Sequence, residues 1–205
     1  MKNSFSRREF ISTSAIAGAG LVSTSSAVSE YMNYNLAEGT RVGIIGLDTS
    51  HCIAFTKALN DPKAGPEFSG YKVVAAYPTS GSIDLPSSIN RLAGFTEQVR
   101  QLEVEIVSSI EELLKKVDVV LLETVDGRKH LEQALPVIKS GKRMFIDKPV
   151  AASLADAVTI FDNAKRYKAP VFSSSSLRYI VGAEEIEGGK IGKVVGADTY
   201  GPASI

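Results

Sequence analysis

Short runs of apolar residues alternate along this chain with longer segments in which apolar residues recur at helical spacing. The runs are uniformly apolar rather than alternating, as expected for strands that are buried on both faces of a parallel sheet. Strands are predicted at residues 42–45, 71–77, 105–107, 117–124, 143–147 and 170–174. Strands that alternate with helices predict an α/β fold, a doubly wound parallel sheet of the Rossmann-like kind, with its ligand crevice at the carboxyl ends of the strands.

Two capping boxes mark predicted helix starts between these strands. Ser109–Glu112 opens a short helix that runs through Lys116, and Ser153–Asp156 opens a longer one. The apolar spacing of the longer helix predicts that four side chains face the sheet, namely Leu154, Ala157, Val158 and Phe161.

The turn after the first strand is the first candidate for chemistry. Gly43 and Gly46 allow close backbone approach, and Thr49 and Ser50 are good N-cap residues where a helix N-terminus could bind a pyrophosphate. The match to the dinucleotide fingerprint G-x-G-x-x-G is partial, so a cofactor site and a structural turn are equally supported here. Asp48 favours the structural alternative, because a carboxylate in this turn repels a pyrophosphate.

The N-terminal segment is interpreted as a targeting signal. Arg7 and Arg8 precede a mildly apolar run at residues 11–22, and small residues follow at 25–27. We expect residues 1–28 to be a twin-arginine signal peptide and residues 29–39 a linker, with the mature protein exported to the periplasm. The apolar run is too short and too polar for a stable membrane span. The alternatives are a chance arginine pair and a retained anchor.

Composition narrows the function classes. The 205 residues are 44% hydrophobic and 22% charged, which is typical of a soluble globular protein. Removing residues 1–28 leaves a net charge near −2 with no basic patch, so nucleic acid is not an expected partner.

Cys52 stands alone and is interpreted as an inward-facing apolar filler. No metal site is predicted, because His51 and His130 are far apart and show no ligand spacing.

Three later segments carry a family resemblance. Gly141–Pro149 is similar to the segment G-K-x-V-x-x-E-K-P, with Asp in place of Glu, and the loop Thr124–His130 leads into a helix. Gly189–Lys193 looks like a crossing into a second domain. In this order the motifs resemble the Gfo/Idh/MocA family, the glucose-fructose oxidoreductase and inositol dehydrogenase group of NAD(P)-dependent enzymes, over about residues 40–200.

The resemblance assigns roles to several residues. It implies that Lys148 is catalytic, since the family lysine reaches the substrate and the nicotinamide. Asp147, at the same strand edge, is expected to bind the cofactor and to position Lys148. It implies that Thr124 and His130 shape the cofactor crevice. An ammonium at a strand end can favour a developing alkoxide. The alternatives are a solvated surface lysine at 148 and a helix-start histidine at 130 satisfied by backbone, and a plain helix-start histidine is also expected at His51.

The resemblance also implies a domain plan. Residues 40–180 form the Rossmann-like nucleotide-binding domain, and residues 181–205 begin a truncated C-terminal domain, with Ile191–Tyr200 as the first strand of its sheet. We expect an N-terminal fragment of a protein that is a homo-oligomer when full length.

Two function classes follow. The first is an exported oxidoreductase that uses NAD or NADP to act on a sugar or polyol, with an NAD-dependent glycosidase of the same family as a variant. The second is a non-catalytic carbohydrate-binding or cofactor-free relative. Asp48 favours the second class, and Lys148 with the other strand-end residues favours the first.

Overall fold

The computed structural model describes residues 40–68 and 70–198, which divide into two compact units at residue 173. The first unit contains six strands, at Arg41–Ile45 (β1), Lys72–Tyr77 (β2), Glu105–Ile106 (β3), Val119–Leu122 (β4), Arg143–Ile146 (β5) and Val171–Ser173 (β6). Its helices are Ser50–Asn60 (α1), Pro86–Gln101 (α2), Ile110–Lys116 (α3), His130–Lys139 (α4) and Leu154–Tyr167 (α5). A short 3-10 turn covers Pro66–Phe68. The second unit has a 3-10 turn at Ser176–Tyr179 and the helix Ala183–Glu187 (α6).

The six strands form one parallel sheet in the order β3-β2-β1-β4-β5-β6. The prediction of a doubly wound α/β sheet is therefore confirmed. The chain builds outwards from β1 in one direction as far as β3 and then restarts on the other side of β1 with β4. The loops that follow β1 and β4 therefore diverge to opposite faces, which opens a crevice at their carboxyl ends.

The side chains of each strand alternate between two apolar cores. Val42 and Ile44 of β1 pack on the face covered by α1 and α2, together with Cys52. Ile45 points to the opposite face, which is covered by α3, α4 and α5 and includes Leu113. The inward position predicted for Cys52 is confirmed, since the side chain is fully buried.

The predicted helix starts are found where the sequence places them. Ser109 Oγ accepts from the Glu112 backbone N–H at 3.1 Å, and Ser153 Oγ accepts from that of Asp156 at 3.0 Å. Gly141, with φ of 73°, follows the end of α4 as expected for a residue that terminates a helix.

The prediction of which side chains of α5 face the sheet is wrong in part. Leu154, Val158 and Phe161 are exposed, whereas Ile160 and Ala164 are buried against the sheet. The helix carries two overlapping apolar stripes, and the one that fits the sheet begins one turn later than predicted. Because α5 lies near β6, an edge strand, less of its surface is covered than in a helix over the middle of the sheet.

The strand predicted at Ile191–Tyr200 is also not found within residues 191–198, which have no regular secondary structure. Val195 is 92% exposed, and a strand without a neighbouring strand leaves its backbone groups unpaired. Residues 199 and 200 lie outside the described part of the chain, as do the predicted signal peptide and linker. Over the ranges described, no helix has the length and apolar character needed to cross a bilayer.

Candidate functional site

The turn after β1 packs tightly against its neighbouring strands. Gly46 has φ of 93°, and its N–H donates to the Tyr77 carbonyl at 2.8 Å. A Cβ at Gly46 would lie 2.4 Å from the backbone nitrogen of Thr124, and one at Gly43 would lie 3.0 Å from the side chain of Leu113. Gly46 is therefore required by its contact with the Thr124 backbone, whereas a side chain at Gly43 would need the neighbouring side chain of Leu113 to shift.

Asp48 joins three segments at the carboxyl edge of the sheet. Its fully buried carboxylate accepts from Ser88 Oγ at 2.5 Å and from the Val125 backbone N–H at 3.2 Å. Ser88 Oγ in turn accepts from the Ser82 N–H at 2.8 Å. The β1 turn, the start of α2 and the loop after β4 are thus held together by one charged group.

A second polar group continues this network outwards. Ser82 Oγ donates to Asp126 at 3.0 Å, and Arg128 donates to both Asp126 and Asp84. The Arg128 guanidinium, together with this Ser82 bond, holds the pKa of Asp126 far below its usual range. The space between the ends of β2 and β4 is therefore bridged by protein side chains.

His51, the second residue of α1, reaches across the edge of the sheet. Its Nδ1 donates to Asp147 Oδ2 at 2.6 Å and lies 3.9 Å from Glu123 Oε2. Glu123 directly follows β4 and Asp147 directly follows β5. Since β4 lies between β1 and β5, the imidazole spans the end of β4 and brings three ionisable side chains together.

Glu123 is the unusual member of this group. Its side chain is fully buried, and neither carboxylate oxygen has a hydrogen-bond partner within residues 40–68 and 70–198. Burial, reinforced by the nearby Asp147 carboxylate, raises the pKa of Glu123 to about 8, while the positive charge of Lys148 acts in the opposite direction. A carboxylate in this position needs a proton or a cation.

The predicted cofactor residues are found at the same edge in different environments. Thr49 caps α1 by accepting from the His51 N–H at 3.3 Å, and Ser50 is exposed at the first position of the helix. Thr124 is buried, and its hydroxyl has no hydrogen-bond partner among the described residues. Gly46 lies beside Thr124, whereas Gly43 lies inside β1 and faces the core.

His130 and Lys148 differ in their exposure to solvent. His130 is fully buried, its Nε2 donates to the Thr124 carbonyl at 2.6 Å, and its Nδ1 lies 3.1 Å from the Val150 carbonyl. This histidine therefore ties the loop after β4 to the loop after β5. Lys148 is exposed at the end of β5, close enough to Glu123 for its charge to affect that carboxyl.

Two contributors were not predicted as site residues. Glu123 could have been found from the sequence, because it is a charged residue that ends the most apolar strand, on the edge where ligands bind. The role of His51 could not, because its partner Asp147 is 96 residues away.

A doubly wound parallel sheet with its polar groups gathered at the reversal point defines the Rossmann-like class of nucleotide-binding domain. Residues 40–175 match the family model described as the GFO_IDH_MocA oxidoreductase family, NAD-binding Rossmann fold. The chain belongs to the Gfo/Idh/MocA oxidoreductase family, which confirms the resemblance seen in the sequence. A comparison with curated proteins finds no match.

Solved structures share the fold at low sequence identity. UDP-N-acetylglucosamine 3-dehydrogenase GnnA from Acidithiobacillus ferrooxidans is 17% identical with a TM-score of 0.56, over 73% of this chain and 41% of that one. A variant of KijD10, a 3-ketoreductase from Actinomadura kijaniata solved with TDP-benzene and NADP, is 22% identical with a TM-score of 0.51, over 77% and 45%. Biliverdin reductase from Synechocystis, solved with biliverdin and NADP+, is 16% identical with a TM-score of 0.53, over 73% and 42%. The chain thus spans less than half the length of these proteins.

The turn after β1 lacks two of the glycines with which the dinucleotide fingerprint accommodates a pyrophosphate. Counting from Gly46, the second and third glycines of G-x-G-x-x-G fall on Asp48 and His51. The second glycine normally lets the pyrophosphate approach the backbone. Here the Asp48 carboxylate is fixed between the β1 turn and the β4 loop, and the His51 ring covers the end of β4.

Proposed function

We propose that the whole protein is an exported oxidoreductase that acts on a sugar or polyol, with NAD or NADP as its cofactor, and that it assembles as a homo-oligomer. Membership of the Gfo/Idh/MocA family supports the reaction class. The names of GnnA, a nucleotide-sugar dehydrogenase, and KijD10, a 3-ketoreductase, support the substrate class. Residues 1–28, which lie outside the described chain, carry the proposal of export.

The placement of Lys148 is the observation that carries this proposal. The lysine is exposed two residues after the end of β5, close enough to the buried carboxyl of Glu123 for its charge to act on it. An ammonium held there can hydrogen-bond a substrate hydroxyl and stabilise the alkoxide that forms as the carbon is oxidised. Asp147, one residue earlier and bonded to His51, fixes the backbone from which the lysine extends.

The β1 turn favours a second candidate function, a cofactor-free relative that binds a carbohydrate without oxidising it. Asp48 and His51 replace two glycines of the fingerprint, and both side chains have partners inside the protein. A dinucleotide would have to displace at least one of these contacts. The two candidates therefore differ first in a property that can be measured directly, which is affinity for NAD or NADP.

Calorimetric titration of the protein with NAD and NADP separates the two candidates. Saturable binding of either dinucleotide is the expected result for the oxidoreductase. The absence of heat and of any thermal shift at millimolar cofactor would decide for the cofactor-free binder.

Substitution of Lys148 tests the catalytic role in the full-length protein. Lys148→Met keeps the apolar stem and removes the charge, so we expect turnover to fall about 10²-fold or more with little loss of stability. Lys139→Met, at an exposed position in the last turn of α4, is the matched control and should retain full activity. Undiminished turnover in the Lys148 variant would make this residue an ordinary surface lysine.

A further inference from the structure

The side chains of His51, Glu123 and Asp147 converge on one point at the carboxyl edge of the sheet. One potential ligand atom from each, an imidazole nitrogen and two carboxylate oxygens, lies within 4.8 Å of the other two. The three residues come from the start of α1, the end of β4 and the end of β5. Because rigid elements of the sheet hold all three, the donor set is formed by the fold itself.

Glu123 supplies an independent reason to expect a ligand at this point. A buried polar atom is almost always hydrogen-bonded, because an unpaired one loses the free energy of hydration without compensation. Both oxygens of Glu123 are buried and have no hydrogen-bond partner in the part of the chain that the structure describes, and Oε2 lies 3.9 Å from His51 Nδ1. A cation between these groups would satisfy the carboxylate.

The chemistry of the three donors selects the kind of cation. One imidazole and two carboxylates suit the divalent first-row ions Mn²⁺, Fe²⁺ and Zn²⁺, whereas Ca²⁺ and Mg²⁺ prefer oxygen donors alone. Two carboxylates and a neutral imidazole also balance the charge of a divalent ion. His51 is 40% exposed at its side chain, so an ion bound here would keep a coordination position open towards solvent.

We propose that His51, Glu123 and Asp147 together bind one divalent transition-metal ion. The ion replaces the hydrogen bond between His51 and Asp147 and draws the Glu123 carboxylate into contact. Its ligand His51 stands where the third glycine of the dinucleotide fingerprint would be. The metal proposal does not depend on the oxidoreductase proposal.

The test is a metal titration of the purified protein, stripped with a chelator and without dinucleotide or sugar. Zn²⁺ and Mn²⁺ are added separately and followed by calorimetry, with native mass spectrometry giving the stoichiometry. We expect saturable binding of one ion per chain and an increase in Tm, since an ion that binds only the folded state stabilises it.

Three variants assign the binding to this site. Glu123→Gln and His51→Gln each remove one ligand and should weaken metal binding by at least about 100-fold. Removing a residue that only hydrogen-bonds to a metal ligand already costs up to about 100-fold in metal affinity. Glu105→Gln changes an exposed carboxylate in an ion pair with Lys116 and should leave binding unchanged. If circular dichroism shows that Glu123→Gln does not fold, the His51→Gln variant, which changes a partly exposed residue, decides alone whether the ion binds at this site.

Two results would overturn the proposal. One is the absence of saturation with either ion at millimolar concentration, which would show that Glu123 is satisfied by a proton. The other is binding that persists unweakened in His51→Gln, which would place the ion elsewhere on the protein. Neither result bears on dinucleotide affinity, so the oxidoreductase proposal is tested separately.

Discussion

Replacing Gly46 by alanine should destabilise the protein strongly, because this residue combines a left-handed backbone with close contact to β4. Its φ is 93°, and an added Cβ would lie 2.4 Å from Thr124 N and 2.6 Å from Thr124 Cα. The left-handed conformation costs a residue with a Cβ about 1–2 kcal/mol. Overpacking against backbone costs about 1–3 kcal/mol more, so we expect a loss of about 2–5 kcal/mol in the free energy of unfolding.

Gly94 provides the matched control for this substitution. It lies on the exposed side of α2, and a Cβ there would meet no atom of the described residues within 4 Å. Gly94→Ala should therefore stabilise the protein by about 0.5–1 kcal/mol, since alanine loses less backbone entropy in a helix. The two variants make the same chemical change and should shift stability in opposite directions.

Urea unfolding followed by circular dichroism measures both effects. With a slope of about 2 kcal/mol per molar urea, the midpoint for Gly46→Ala should fall by at least about 1 M, and that for Gly94→Ala should rise slightly. A midpoint for Gly46→Ala within about 0.3 M of the parent value would refute the reasoning. It would show that the β1 turn moves away from Thr124 at little cost and that its tight packing is unimportant.

Two further predictions concern charged residues. Arg128 holds the pKa of Asp126 below its ordinary value, so this pair contributes stability above about pH 4 and loses it as the pH falls further. Asp126→Asn should therefore lower stability at pH 7 by about 1–2 kcal/mol and by progressively less below about pH 4, and a loss near pH 2 as large as that near pH 7 in thermal unfolding would contradict this. Changing Arg7 and Arg8 together to Lys should leave precursor in the cytoplasm, as cell fractionation would show, whereas unchanged export would exclude the twin-arginine route.

The sheet could be predicted from the sequence because its strands are short, uniformly apolar and separated by recognisable helix starts. Val119–Leu122 and Arg143–Ile146 lie inside the predicted ranges, and Ser109 and Ser153 form the predicted caps. These features depend on neighbours within a few positions. The apolar face of α5 could not be predicted, because the choice between two stripes depends on where the edge of the sheet lies.

The candidate site was predictable only in part, for a similar reason. The rule that ligands bind at strand ends placed Lys148, Thr124 and Asp147 on one edge, and the structure finds them there. The contact between His51 and Asp147 depends on the order of three strands that are far apart in the sequence. Nothing in their local patterns shows that an imidazole crosses the end of β4.

The reversal of strand order between β1 and β4 also gathers the polar residues of the site just outside the strands. Asp48, His51, Glu123 and Asp147 all follow a strand rather than belong to one, so their side chains take no part in strand pairing. Mutation at these positions can introduce a carboxylate or an imidazole while every strand keeps its register. The polar groups at the rim of the sheet can in this way change through a few substitutions while the sheet itself stays the same.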